Sequence, residues 1–139
     1  MSNFLGESNY RTDVRNTQAL AQAASRKLTV VSIGPLSAHI IAYADNAGVI
    51  AADKDSLIIQ DRILGLTMNS ASAAGQDVEI IGQGRVTDPS FSFTPGPIWL
   101  GNSGALTQSK PATGILVQVA TAYTATSIFV NIGPAIKLA

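Results

Sequence analysis

Pro97-Ile98-Trp99-Leu100-Gly101-Asn102-Ser103-Gly104-Ala105-Leu106-Thr107 sets two short apolar runs on either side of a loop made of Gly, Asn and Ser. That composition predicts a β-hairpin, because Gly and Asn adopt the backbone conformations that tight strand connections need. Downstream, Ile115-Leu116-Val117-Gln118-Val119-Ala120 and Ser127-Ile128-Phe129-Val130-Asn131-Ile132 repeat the pattern and are expected to pair with each other. Upstream, residues 28–33 stop at Gly34-Pro35, residues 39–43 at Asp45-Asn46-Ala47-Gly48, and residues 49–52 at Asp53-Lys54-Asp55. Residues 57–60 read as a further strand, and residues 62–68 as another or as the approach to a linker over 69–75. Asp77-Val78-Glu79-Ile80-Ile81 alternates, Gly82-Gln83-Gly84 interrupts it, and Arg85-Val86 resumes. A glycine pair inside such a pattern predicts a bulge or a bend.

Turn signals at intervals of roughly 8–12 residues point to a sandwich or barrel. The expected fold is all-β, a jelly-roll-like β-sandwich of about eight strands over residues 28–139. A parallel α/β sheet needs helical crossovers, and no segment supplies them.

Residues 1–27 differ in character: they are polar and Ala-rich, and they carry Arg11, Arg15, Arg26 and Lys27. Within them, residues 16–24 have good helix propensity, with Asn16 placed to cap the N-terminus. An isolated helix of that length is marginal in water. The segment is therefore expected to be an N-terminal arm that orders on a partner or on the body of the domain, rather than a frayed end.

Of the 139 residues, 46% are apolar and only 13% charged, with nine basic and nine acidic side chains. A soluble domain ordinarily carries about 25% charge. The deficit predicts surface buried against other subunits, since exposed apolar patches mark interfaces. No basic cluster is present to displace counterions from phosphates, so no nucleic-acid partner is expected. Disulfides and thiolate metal sites are impossible, because the chain has no Cys. The first residues lack the basic-then-apolar order of a signal peptide, and no apolar run is long enough to span a membrane.

Chemistry-bearing residues are sparse. His39 is the single histidine and sits on an expected strand. Asp53-Lys54-Asp55 offers two carboxylates, but a calcium loop needs a turn glycine and a distal Glu, so a solvated turn is expected. Asp61, Asp77, Glu79 and Asp88 show no spacing that singles out a glycosidase pair. Gly82-Gln83-Gly84 lacks the following helix that a dinucleotide site requires. No serine lies in a Gly-x-Ser-x-Gly elbow. The chain is read as a non-enzyme with no catalytic residue, cofactor or metal.

Residues 88–99 hold Phe91, Phe93 and Trp99, three of the six aromatic residues beyond position 27. Phe91 and Phe93 alternate with serines, which puts both rings on one face of a short strand. They are expected either to fill the core or to anchor a subunit interface.

The stretch Gly84-Arg85-Val86-Thr87-Asp88-Pro89-Ser90-Phe91-Ser92-Phe93-Thr94-Pro95-Gly96-Pro97-Ile98-Trp99-Leu100-Gly101 resembles a recurring stretch of small tailed-bacteriophage virion proteins. Gly104-Ala105-Leu106-Thr107-Gln108, Thr113-Gly114, Val117-Gln118-Val119 and Ser127-Ile128-Phe129-Val130-Asn131-Ile132 extend the resemblance, as do Gly65-Leu66-Thr67 and Ala73-Ala74-Gly75 upstream. On these residues the chain looks like a capsid cement, or head decoration, protein. The resemblance covers roughly residues 60–138, and Phe91 and Phe93 stand where relatives often carry Trp.

Membership would imply an all-β, oligomeric structural virion protein. It would bind the outer surface of the assembled head and clip neighbouring major capsid protein subunits together. It would be made in the host cytoplasm and carried on the virion. A homodimer is the simplest oligomer, with a trimer as the other option. Phe4, Tyr10, Arg11, Arg15, Phe91, Phe93 and Trp99 are the expected contacts with capsid or sister subunits. The alternatives are a tail-spike or receptor-binding module for host glycans or proteins, and a small cell-wall hydrolase.

Overall fold

Short β-branched runs cut by Gly, Pro and Asx residues leave the backbone one economical way to satisfy its N–H and C=O groups, which is to pair strand with strand. The computed structural model describes residues 26–56 and 62–138. In chain order the strands are β1 (Arg26–Val31), β2 (Ile41–Asp45), β3 (Gly48–Ala51), β4 (Ile63–Thr67), β5 (Asp77–Thr87) and β6 (Gly96–Leu100). They continue with β7 (Leu106–Thr107), β8 (Ile115–Leu116), β9 (Gln118–Ala122), β10 (Ser127–Asn131) and β11 (Ile136–Lys137). The protein is all-β, as expected. A curled antiparallel sheet runs β3-β2-β4-β5-β10-β9-β6-β7, β1 pairs with β5 off that path, and β8 and β11 form a separate pair.

The curled sheet's path holds about the expected eight strands, and the described residues add β1 and the two-residue strands β8 and β11, which leave almost no periodic signal. β5 runs through Gly82-Gln83-Gly84 with an irregularity at the glycine pair, as expected: Arg26 faces Gln83 and Lys27 faces Ile81, which leaves Gly82 as the extra residue against β1. Residues 91–94 form no strand, although their rings do share a side. The hairpin read from residues 97–107 is present, with Trp99 opposite Thr107 and Leu100 opposite Leu106. So is the pairing of β9 with β10.

Two cores explain the sequence pattern. Ile41, Leu66, Ile81, Val86, Ile98, Leu100, Ile128 and Val130 belong to the larger one. Leu36, Ala42, Val49, Val78 and Ile80 belong to the smaller. Neighbours such as Ile41 and Ala42, or Ile80 and Ile81, therefore point to opposite sides and are both buried. That is why β2 and the middle of β5 read as continuous apolar runs instead of alternating. In β4 the parity would fail, since Leu64 packs on the smaller core and Leu66 in the larger. A register shift against β2 beside Gly65 restores it, and a Cβ on Gly65 would lie 2.8 Å from the Gly82 Cα. Each large apolar side chain so buried contributes about 1.5–3 kcal/mol.

The smaller core is closed off where Ser32 bridges Val49 in parallel and the Ile33 N–H donates to the Val49 carbonyl at 2.9 Å. Ser32 and Thr67 are the buried polar residues among those described, and both are satisfied. Ser32 Oγ donates to the Ala73 carbonyl at 3.0 Å, while Thr67 Oγ1 donates to that of Ser37 at 2.8 Å and accepts the Ile40 N–H at 3.1 Å. Among the described residues, no helix is long and apolar enough to cross a membrane.

Candidate interaction surface

The second half of the sheet turns one side to the larger core and the other outward. Inward go Ile98, Ala120, Ala122, Ile128 and Val130, all buried. The opposite parity gives an outward row across four strands: Pro97 opposite Thr121, Thr121 opposite Phe129, and Phe129 opposite Arg85. Tyr123 stands beside this row, its ring 6.5 Å from that of Phe129, with the Arg85 guanidinium 5.9 Å from its ring centroid. An arginine at that distance over an aromatic face is held by the ring quadrupole while its outer N–H donors stay available. Tyr123 keeps 48% of its surface exposed.

Next to the row lies a groove of about 420 Å³, floored by Trp99, Gln118, Thr121, Phe129 and Asn131 and walled by the β8–β11 side through Leu116 and Ile136. Ile136, 56% exposed, is the most open large apolar side chain described. Gln118 Nε2 donates to Thr121 Oγ1 at 3.1 Å, which fixes part of the polar floor. Among the described residues, no charged side chain lines the groove. Such a surface offers flat aromatic area, amide groups and one cation, which suits docking against another surface.

Of the seven residues singled out from sequence, Trp99 belongs to this face. Phe4, Tyr10, Arg11 and Arg15 lie outside the described residues, as do the expected helix at 16–24 and the expected strand at 57–60, while Arg26 and Lys27 begin β1. Phe91 and Phe93 are half-buried and pack on the larger core, their centroids 5.4 Å apart. Tyr123, Phe129 and Arg85 were not singled out. Their signal was an aromatic or basic residue at the outward parity of a strand whose other parity is apolar.

His39 sits across from Phe91, edge to face at 5.0 Å, and its Nε2 is 3.7 Å from Asp88 Oδ2. It lies in the turn before β2 and not on a strand, with a φ of 60°. Asp88 Oδ1 accepts the Ser90 hydroxyl at 2.6 Å and the Ser90 N–H at 2.8 Å. These bonds, the hydroxyl first, hold the Asp88 carboxyl below its ordinary range, with His39 adding to the effect. The Ser90 hydroxyl faces the carboxylate rather than the imidazole, so the cluster presents no activated nucleophile. Its effect is to tie the aromatic loop to the turn before β2.

Asp53-Lys54-Asp55 forms the expected turn, with Asp55 exposed, and its carboxylates are in addition engaged by distant residues. Asp53 accepts the Asp55 N–H at 2.9 Å, Asn102 Nδ2 at 3.0 Å and the Ser103 N–H at 3.0 Å. Asn102 Nδ2 also donates to Asp55 Oδ2 at 2.8 Å, and Lys54 Nζ to Asp55 Oδ1 at 3.0 Å and Thr113 Oγ1 at 3.2 Å. The carboxyl of Asp53 is lowered chiefly by the Asp55 N–H, and that of Asp55 chiefly by Lys54. The turn thus staples the β6–β7 loop and the segment before β8 together. Among the described residues, no group of three or more His, Cys, Asp or Glu side chains could hold a metal ion.

Set beside known proteins, the chain matches no family model, no curated protein and no solved structure.

Proposed function

We propose that the protein is a bacteriophage capsid cement protein, which binds the outside of the assembled head and clamps neighbouring major capsid protein subunits. The resemblance of residues 60–138 to small virion proteins supports this. The structural observation that carries it is the outward face of β5, β10, β9 and β6, where Trp99 and Phe129 line the groove and Tyr123 and Arg85 stand beside Phe129. Trp, Tyr and Arg are the residues most enriched at interface hot spots. On this reading the curled sheet is a jelly-roll-like sandwich and the protein is a homo-oligomer. Phe4, Tyr10, Arg11 and Arg15 make further contacts from the arm, and Phe91 and Phe93 add contacts from the segment before β6. A ligand that binds only the assembled lattice stabilises it by mass action, and several weak contacts per oligomer add through effective concentration.

Heads stripped of the protein should bind it on co-sedimentation and melt at a higher temperature once bound. Trp99→Ala should weaken that binding about thirtyfold, the factor for a hot spot of about 2 kcal/mol. Failure to bind, or unchanged head melting, would sink the proposal.

The groove itself favours a second reading, a receptor-binding module. Trp99 and Phe129 beside Gln118 and Asn131 combine ring faces with amides in the manner of a sugar site. Glycan-array binding abolished by Trp99→Ala, with no affinity for heads, would favour it.

A further inference from the structure

Among the described residues, β1 is the most exposed strand of the main sheet, although Val30 packs on the smaller core. Of its six residues only Val30 is half-buried, and Leu28 and Val31 remain 42% and 43% exposed. They are two of the four large apolar side chains left exposed among the described residues. One edge of β1 pairs with β5. On the other, Ser32 just beyond the strand bridges β3, and residues 26–30 have no paired neighbour among the described residues. A free row of N–H and C=O groups is a template for another strand. Native edges are usually blunted by central charges, proline or bulges. Here the register shift and both charges, Arg26 and Lys27, fall at one end, so Leu28, Thr29 and Val30 stay regular and neutral.

The charges around this edge are polarised. Arg26 and Lys27 mark its start. At the far end Asp77 pairs with Val31 and Glu79 with Thr29, and Asp45 lies with Val30 and Val31 around the shallow depression at the β2–β3 turn. No ion pair joins Arg26 or Lys27 to these acids within the described residues. We infer that this edge is the seat of a two-fold dimer, in which β1 of a second copy lies antiparallel along residues 26–30. A two-fold axis reverses the second strand, so the basic end of each copy meets the acidic end of the other. A parallel arrangement would stack like charges, which is unfavourable for directly opposed side chains. The Lys27 side chain then reaches past a neighbouring strand toward Glu79 and Asp77 of the second copy. The sheet continues from one copy into the next, and Leu28 loses its exposure. This dimer does not depend on capsid binding, and it leaves the Trp99 face free.

Sedimentation equilibrium of the full chain tests it, with a dimer of twice 14.4 kDa expected. Lys27→Glu should weaken dimerisation about tenfold or more, because two symmetric attractions become repulsions. The double variant Asp77→Lys with Glu79→Lys should be weakened likewise. An equimolar mixture of the two variants should dimerise again, since every opposed pair is then of opposite sign. Melting followed by Trp99 fluorescence checks that each variant is folded, and Thr29→Lys serves in place of one that is not. A full chain that stays monomeric at about 100 µM overturns the inference and leaves the edge to residues 1–25 or to a capsid strand. A dimer indifferent to Lys27→Glu, or a mixture that fails to restore it, overturns it equally and moves the contact elsewhere.

Discussion

Replacing Gly114 by Ala should destabilise the protein far more than replacing Gly75 by Ala, although both glycines have nearly the same backbone conformation. Gly75 has a φ of +87° and no atom within 4 Å of where a Cβ would stand. Gly114 has a φ of +82°, and its Cβ would overlap the Lys54 carbonyl oxygen and lie 2.8 Å from Asp55 Oδ1. Both substitutions carry the left-handed penalty of about 1–2 kcal/mol. At Gly114 the obstructing carbonyl is itself bonded, accepting the Ile115 N–H at 2.6 Å. Moving it away loses about 1 kcal/mol of hydrogen bond, and forcing the backbone apart costs about 1–3 kcal/mol more.

The total is therefore about 3–6 kcal/mol for Gly114→Ala against about 1–2 kcal/mol for Gly75→Ala. With an unfolding entropy of about 0.3 kcal/mol/K for a chain of this length, Tm should fall by about 10–20 °C in the first case and about 3–7 °C in the second. Trp99, the single tryptophan, reports both transitions by fluorescence. Equal shifts in the two variants would refute the claim that the Lys54 turn is packed rigidly against residue 114, and would leave backbone conformation as the whole cost.

Other outcomes follow from the same geometry. Asp53→Ala removes the shared acceptor of the Asp55 N–H, Asn102 and the Ser103 N–H, and should cost about 1–2 kcal/mol in urea melts at neutral pH. The folded Asp53 carboxyl lies below its unfolded value, so its contribution is complete above about pH 4. It disappears as pH falls through the lowered folded value. The stability difference between wild type and Asp53→Ala should accordingly shrink on acidification and should not change between pH 6 and pH 8 as a result of this group. Ile80→Ala and Ile81→Ala face different cores, so each should cost about 2–5 kcal/mol and the double variant their sum within about 0.5 kcal/mol. Strong non-additivity in denaturant melts would mean that the two cores are one.

Strand positions were legible in the sequence because turn chemistry is local. Gly34-Pro35, Gly101-Asn102-Ser103-Gly104 and the alternation around Phe129 each act over a few residues, and β1, β6, β7 and β10 fall beside them. The all-β class followed from the same signals, and so did the low charge, which is a property of composition alone. Tertiary structure decided what local chemistry could not. Gly82-Gln83-Gly84 looked like an interruption, yet β5 continues through it because strands pair along it and Gly82 accepts the close approach of the Leu64 carbonyl.

Asp53-Lys54-Asp55 looked solvated, and its acceptors are filled by Asn102 and Ser103, about fifty positions away. Trp99 could be picked out as a lone large aromatic. Its meeting with Phe129 across the groove, and that of Phe129 with Tyr123 and Arg85, arise only when four strands align, since Arg85 meets Phe129 through register and not through spacing. Local residue chemistry determines where a strand starts and stops, while pairing across the sheet determines which side chains become neighbours and so which surface the protein presents.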